Sequence, residues 1–233
     1  MTIQVQPLMA QCLQDLDLSG LRVRSRYRGV ELLTAADHLQ LFRNELVAAA
    51  AAGGRVLAAF SAGRLCAVGA IIPLAWDTQH FGLPMASLVA AAGEGCGAWR
   101  PLLTGLLLIA QQQLAARHVS AEFDAEDSEA LHELASLGFE TMDIRRAYRW
   151  TDMGSVPEPK FRTLVRPYCS ADRERVLELV AGASITSRFS RDPTFSRQQV
   201  QMLYASWFDK LLASSNDADT VGLVFEKRGQ VQA

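Results

Sequence analysis

Apolar residues recur at helical spacing over residues 34–52, where Leu39, Phe42, Leu46 and Val47 share one side; Thr34 can cap the first turn and Gly53-Gly54 stop the pattern. The period then becomes that of strands. Residues 56–60 and 65–72 are apolar runs joined by Ser61-Ala62-Gly63, which predicts a hairpin, and a third strand follows a polar turn at residues 85–91. Pro101 suits the first turn of a helix, and Leu102, Leu103, Leu106, Leu107 and Ala110 form so broad an apolar face that cover on both sides is expected. Residues 119–123 predict another strand. Ser128 then caps a helix bearing Leu131, Leu134 and Leu137, and Gly138 stops it before a strand running through Trp150. This order of elements predicts a mixed α/β fold, a mixed sheet flanked by helices.

The pattern breaks at residues 152–161, DMGSVPEPKF, where Pro157 and Pro159 hold the backbone extended. We read a linker there, between a domain at residues 1–151 and a second at 162–233. The second begins with a strand at 163–166, a helix from Ser170 to about Gly182 and an irregular stretch at 183–195. Ser196 caps a long helix in which Val200, Leu203, Tyr204, Trp207, Phe208, Leu211 and Leu212 recur at helical spacing. A strand at 220–226, a turn at Lys227-Arg228-Gly229-Gln230 and a returning strand from Val231 to Ala233 complete it. Two helices and two full strands bury few apolar faces, so this domain reads as unfinished.

Of the 233 residues, 49% are hydrophobic and 21% charged, which excludes wholesale disorder. The net charge of -2 offers no general attraction for nucleic acid or a membrane surface. Cys12, Cys66, Cys96 and Cys169 lie far apart and read as reduced, mostly buried thiols. The first residues lack a cationic and apolar leader, and the uncharged stretch at 101–116 is too short to span a bilayer, so a cytoplasmic location is expected.

Two stretches resemble a known family. Residues 182–207, with Ser187-Arg188-Phe189, Asp192-Pro193, Phe195, Tyr204 and Trp207, resemble dTDP-fucosamine acetyltransferases and related nucleotide-sugar N-acetyltransferases of the GNAT superfamily. Trp76-Asp77-Thr78-Gln79-His80-Phe81-Gly82 looks like the W-D/E-x-x-x-F-F/G element of their N-terminal domain, and Leu137-Gly138-Phe139-Glu140 looks like its helix ending. The resemblance implies a degenerate GNAT-like N-terminal domain and a working C-terminal one. It implies acetyl-CoA as cofactor and a nucleotide-linked amino sugar as substrate. The family's cofactor strand, Gly-rich loop and proton donor follow the equivalent of Val231, so the resemblance makes 162–233 the start of an incomplete C-terminal GNAT domain. It assigns no catalytic residue within these residues, and little or no acetyl transfer is expected.

Acyl transfer from a thioester needs the CoA pyrophosphate held by backbone N–H groups, a polarised carbonyl and a proton donor for the thiolate. Gly93-Glu94-Gly95-Cys96-Gly97 precedes the helix at Pro101, where a GNAT pyrophosphate loop sits in element order. Gly93, Gly95 and Gly97 are therefore the candidate cofactor residues. Against this reading, Ala90 or Ala92 stands where the family has a polar or cationic residue, Glu94 is an anion, Trp99 is bulky, and Pro101 lacks an N–H. A plain flexible loop is the alternative.

Arg188 can grip a diphosphate with two parallel N–H bonds, or pair with Asp192. Arg188, Asp192 and Tyr204 are the candidate substrate residues, with core packing the alternative for Tyr204. Trp76 and Phe81 either contact a ligand or pack an interface. His80, His118 and His132 are separated, and no metal site is expected. Cys96 is either an exposed nucleophile or an inert thiol. Asp124, Glu126, Asp127 and Glu129 read as the solvated start of a helix, favoured by its dipole. The unfinished second sheet predicts a homodimer or strand addition at its C-terminal edge.

Overall fold

The computed structural model describes residues 2–23, 30–95, 97–146, 148, 152–155, 157–158, 160–214 and 221–232. Its chain divides into two compact units, Met1–Glu140 and Thr141–Ala233.

The first unit runs β1 (Ile3–Leu8), α1 (Ala35–Ala51), β2 (Arg55–Ser61), β3 (Arg64–Pro73), α2 (Ala75–Phe81), β4 (Met85–Gly93), α3 (Trp99–Gln112), β5 (His118–Ala121) and α4 (Ser128–Ser136). The strands form one sheet in the order β1-β2-β3-β4-β5, antiparallel as far as β4 and parallel between β4 and β5. A parallel pair cannot be closed by a tight turn, and α3 supplies the crossover. The sheet is mixed, as the alternation of elements predicts.

Between their polar ends β2 and β3 are apolar on both faces because both faces of the sheet are covered. Leu57, Ala59, Ala67 and Ile71 pack with Leu102, Leu103 and Leu106 of α3 and with Ala130 and Leu134 of α4. Val56, Ala58, Val68 and Ala70 pack with Phe42, Leu46 and Ala49 of α1 and with Leu13, Leu18 and Leu21. The hairpin closes through Ala62 and Gly63, both at positive φ, the turn whose twist matches that of the strands. Thr34 and Asp37 cap α1 reciprocally, each backbone N–H donating to the other side chain at 2.7 and 3.2 Å.

β4 holds a bulge. Ala70 faces Ala90 and Ile71 faces Leu88, so Val89 is an extra residue. The extra residue exchanges the faces of the strand: Ala86 and Leu88 join the α3 core, whereas Ala90 and Ala92 join the α1 core.

Several expectations are corrected. β1 and α2 fall where no element is predicted. The helix at α3 is covered on one side, since Leu108 is 47% exposed. Asp127 takes the N-cap position of α4, and Ser128 is the first residue inside it. Residues 140–146 form no strand; of the strand expected through Trp150, positions 147, 149 and 150 lie outside the described residues.

In the second unit the elements are β6 (Val165–Pro167), α5 (Arg173–Gly182), α6 (Arg188–Arg191), α7 (Arg197–Ala213), β7 (Leu223–Lys227) and β8 (Gln230–Val231). The antiparallel order is β6-β7-β8. Residues 170–172 are a single 3-10 turn leading into α5. The stretch at 183–195 is not wholly irregular, since it holds α6. Ser196 caps α7 as predicted, reciprocally with Gln199. Arg175 Nε donates to the Val231 carbonyl at 3.1 Å, taking up one acceptor of the short β8. Among the described residues no helix is long and apolar enough to cross a membrane.

Candidate functional site

In the first unit the candidate site follows from the unequal lengths of β4 and β5. The two strands pair from Met85↔His118 to Leu88↔Ala121 and no further, while β4 continues to Gly93. Residues 89–93 therefore have no ladder partner on that side among the described residues. The last polar pair before the strands part is Ser87 and Ser120, with hydroxyl oxygens 3.1 Å apart. Where β4 ends, a cavity of about 220 Å³ opens, lined by Arg22, Gly93, Glu94, Gly95, Glu126, Asp127, Ser128 and Glu129.

This cavity joins two stretches read separately in the sequence, the Gly-rich loop and the acidic run. Gly93 is required by packing: a Cβ there would lie 2.9 Å from Ala67 Cβ and 3.0 Å from the Trp99 ring. Gly95 and Gly97 stand in open space at φ +54° and +62°. Cys96 lies outside the described residues; of the other thiols expected to be mostly buried, Cys66 is buried in β3, whereas Cys12 and Cys169 are exposed. α3 begins after Ala98, which offers no side-chain acceptor, and Pro101 removes one N–H from the first turn.

A CoA pyrophosphate needs free backbone donors and positive potential. Among the described residues the lining holds four carboxylates and the guanidinium of Arg22; Arg24, Arg26 and Arg28 lie outside the described residues. Several nearby N–H groups are already engaged: Glu94 donates to the Cys66 carbonyl at 3.0 Å, and Glu126 to Asp124 Oδ1 at 2.9 Å. The fold thus brings Glu94 beside the acidic run. The sequence signal for this was the acidic run itself, but its meeting with Glu94 depends on β4 outrunning β5.

α2 holds Trp76 and His80 stacked with centroids 5.5 Å apart, and His80 stands edge-on to Phe81 at 4.8 Å. Phe81 is buried, whereas Trp76 and His80 are half-buried. Among the described residues no three His, Cys, Asp or Glu side chains are placed to hold a metal ion.

The second unit places Arg188 and Tyr204 at two ends of one aromatic cluster. Arg188 lies over the Phe189 ring, its guanidinium carbon 4.6 Å from the centroid. Phe189 stands edge-on to Phe195 at 5.7 Å and to Trp207 at 6.4 Å, and Trp207 stands edge-on to Tyr204 at 5.5 Å. Phe189 and Phe195 are buried, whereas Arg188 and Tyr204 are half-buried. Ser187 and Ser190 cap the turn on which Arg188 sits. Asp192 is buried and accepts from the Thr194 N–H at 2.8 Å, shaping the turn into α7.

Sequence reading missed a second charged group in this unit. Arg166 donates to both Asp172 oxygens and to Glu226, and Asp172 also accepts from the Cys169 N–H at 2.9 Å. The guanidinium, aided by that N–H, holds the Asp172 carboxyl well below the usual carboxylate range, and Arg166 is raised in turn.

No protein-family model matches the sequence, and no curated protein matches it. Solved structures with a similar backbone include ribosomal-protein-alanine N-acetyltransferase from Brucella melitensis biovar Abortus 2308, at 12% identity and TM-score 0.44, covering 64% of this chain and 100% of that one. An aminoglycoside acetyltransferase from an uncultured soil metagenomic sample, in complex with trehalose, is 16% identical at TM-score 0.44, covering 64% and 97%. A transcriptional regulator from Bacillus halodurans C-125 is 12% identical at TM-score 0.45, covering 64% and 100%. These likenesses assign no activity to the chain.

Proposed function

We propose that the chain is a GNAT-type N-acyltransferase of the class that acts on the amine of a nucleotide-linked amino sugar, with the acceptor recognised in its second unit. The observation that carries this reading is the layout of the first unit. β4, a Gly-rich loop and α3 follow one another in the order a GNAT domain uses to hold its cofactor, and β4 parts from a parallel β5 just before that loop. Arg188 supports the acceptor class. Its guanidinium is steadied by the Phe189 ring and can offer paired N–H donors to a diphosphate.

A second reading, a binding module of the same fold without chemistry, is favoured by the four carboxylates that line the end of β4 among the described residues. Both readings keep the acceptor and differ in turnover. Calorimetric titration of the 233-residue protein with a nucleotide-linked amino sugar, followed by an acetyl-transfer assay with acetyl-CoA, tests them. Saturable binding is expected on both readings; slow, protein-dependent transfer is the outcome of the first, and no transfer above background overturns it. Absence of binding overturns the acceptor class, and substantial transfer overturns the binding-module reading.

A further inference from the structure

We infer that Trp207 is the ring on which the acceptor's base stacks, so that Arg188 and Trp207 together select a nucleoside diphosphate over pyrophosphate alone; this rests on the reading above. The apolar row of α7 recurs every three or four residues and so keeps to one side of the helix. At its start Val200 and Leu203 are buried, whereas further along Trp207 is 37% and Leu211 54% exposed. The row therefore leaves the core of the second unit and continues as an exposed apolar surface, where Tyr204 stands edge-on to Trp207 at 5.5 Å. An indole and a phenol there offer π-faces and polar tips to a planar ligand.

A buried ring sets the distance from this surface to Arg188. Phe189 is held edge-on by Phe195 at 5.7 Å, and the turn that carries it is capped by Ser187 and Ser190. The Arg188 guanidinium carbon lies 4.6 Å from the Phe189 centroid, and the Trp207 centroid lies 6.4 Å from it. Guanidinium and indole thus both rest against Phe189, a separation that the ribose of a nucleotide bridges between its base and its phosphates. Stacking tolerates any base and is worth about five- to a hundredfold in affinity.

The test is calorimetric titration of the whole protein with thymidine 5′-diphosphate and, separately, with inorganic pyrophosphate, for wild type, Trp207→Leu, Trp207→Phe and Arg188→Ala. Wild type is expected to bind the nucleotide at least about tenfold more tightly than pyrophosphate. Trp207→Leu should remove most of that preference with pyrophosphate affinity unchanged, Trp207→Phe should keep part of it, and Arg188→Ala should weaken both probes alike. If Trp207→Leu does not fold, fluorescence decides: quenching of wild type by thymidine 5′-diphosphate should be lost in Trp207→Phe, and quenching retained there overturns the inference. Equal affinity of wild type for the two probes, no binding of the nucleotide, or a Trp207→Leu protein that loses both affinities together also overturns it. A nucleotide-linked amino sugar titrated in the same series separates the two claims. If it binds without dependence on Trp207, the inference fails and the acceptor class stands; if it does not bind while thymidine 5′-diphosphate binds through Trp207, the acceptor class fails and the base subsite stands.

Discussion

Arg166 grips both carboxylate oxygens of Asp172, at 2.7 and 2.8 Å, while its Nε reaches Glu226 at 2.6 Å. One side chain thus ties β6 to β7 and to the turn that starts α5. Asp172 is only 7% exposed, so its charge depends on this partner.

The folded value of the Asp172 carboxyl lies below its unfolded one, so the group contributes stability above the ordinary carboxylate range and loses that contribution as pH falls through it. The melting temperature of wild type should therefore drop as pH is lowered below about 4. Asp172→Asn should be less stable at pH 7 and show a shallower acid limb. Thermal unfolding followed by circular dichroism from pH 7 to pH 2 checks this, and parallel acid limbs would contradict it.

Gly93 and Gly95 belong to one loop in the sequence and to two roles in the structure. Gly93→Val drives a side chain into Ala67 and Trp99 and should cost at least about 1–3 kcal/mol through overpacking. Gly95→Asn, in open space at a left-handed φ that Asn tolerates, should cost less than about 1 kcal/mol. Urea unfolding of the two variants measures the difference; equal midpoints would reject the packing role of Gly93.

The elements legible in the sequence are those whose signals are local. The Ala62-Gly63 turn, the caps at Thr34 and Ser196 and the stop at Gly138 each lie within a few residues of what they shape. β1 is not legible, although Ile3 and Val5 alternate with Gln4 and Gln6, because a short strand gains its meaning from pairing with β2. α2 hides in a polar stretch and is tied down by a contact beyond its end, the Met85 N–H donating to Thr78 Oγ1 at 2.9 Å. The strand predicted after Gly138 fails over residues 140–146 for the reverse reason: among the described residues no strand pairs with them. Arg188 and Tyr204 were visible as residue types. The aromatic chain linking them through Phe189 and Trp207 exists only once α6 folds onto α7.

α3 buries one side and exposes the other, which separates two leucines two positions apart. Leu106 is fully buried, and Leu106→Ala should cost about 2–5 kcal/mol. Leu108→Ala should change stability by no more than about 0.5 kcal/mol. Chemical denaturation of both variants tests this, and a large loss from Leu108→Ala would mean that its exposed side is covered in solution.

The central claim is that the acceptor's diphosphate meets Arg188, and calorimetric titration of wild type and Arg188→Ala with a nucleotide-linked amino sugar tests it most directly. Loss of a charged hydrogen bond to phosphate should weaken binding by about 1.5–3 kcal/mol, roughly ten- to a hundredfold, while melting temperature changes little. Equal affinity for the two proteins, or no binding by either, would contradict it.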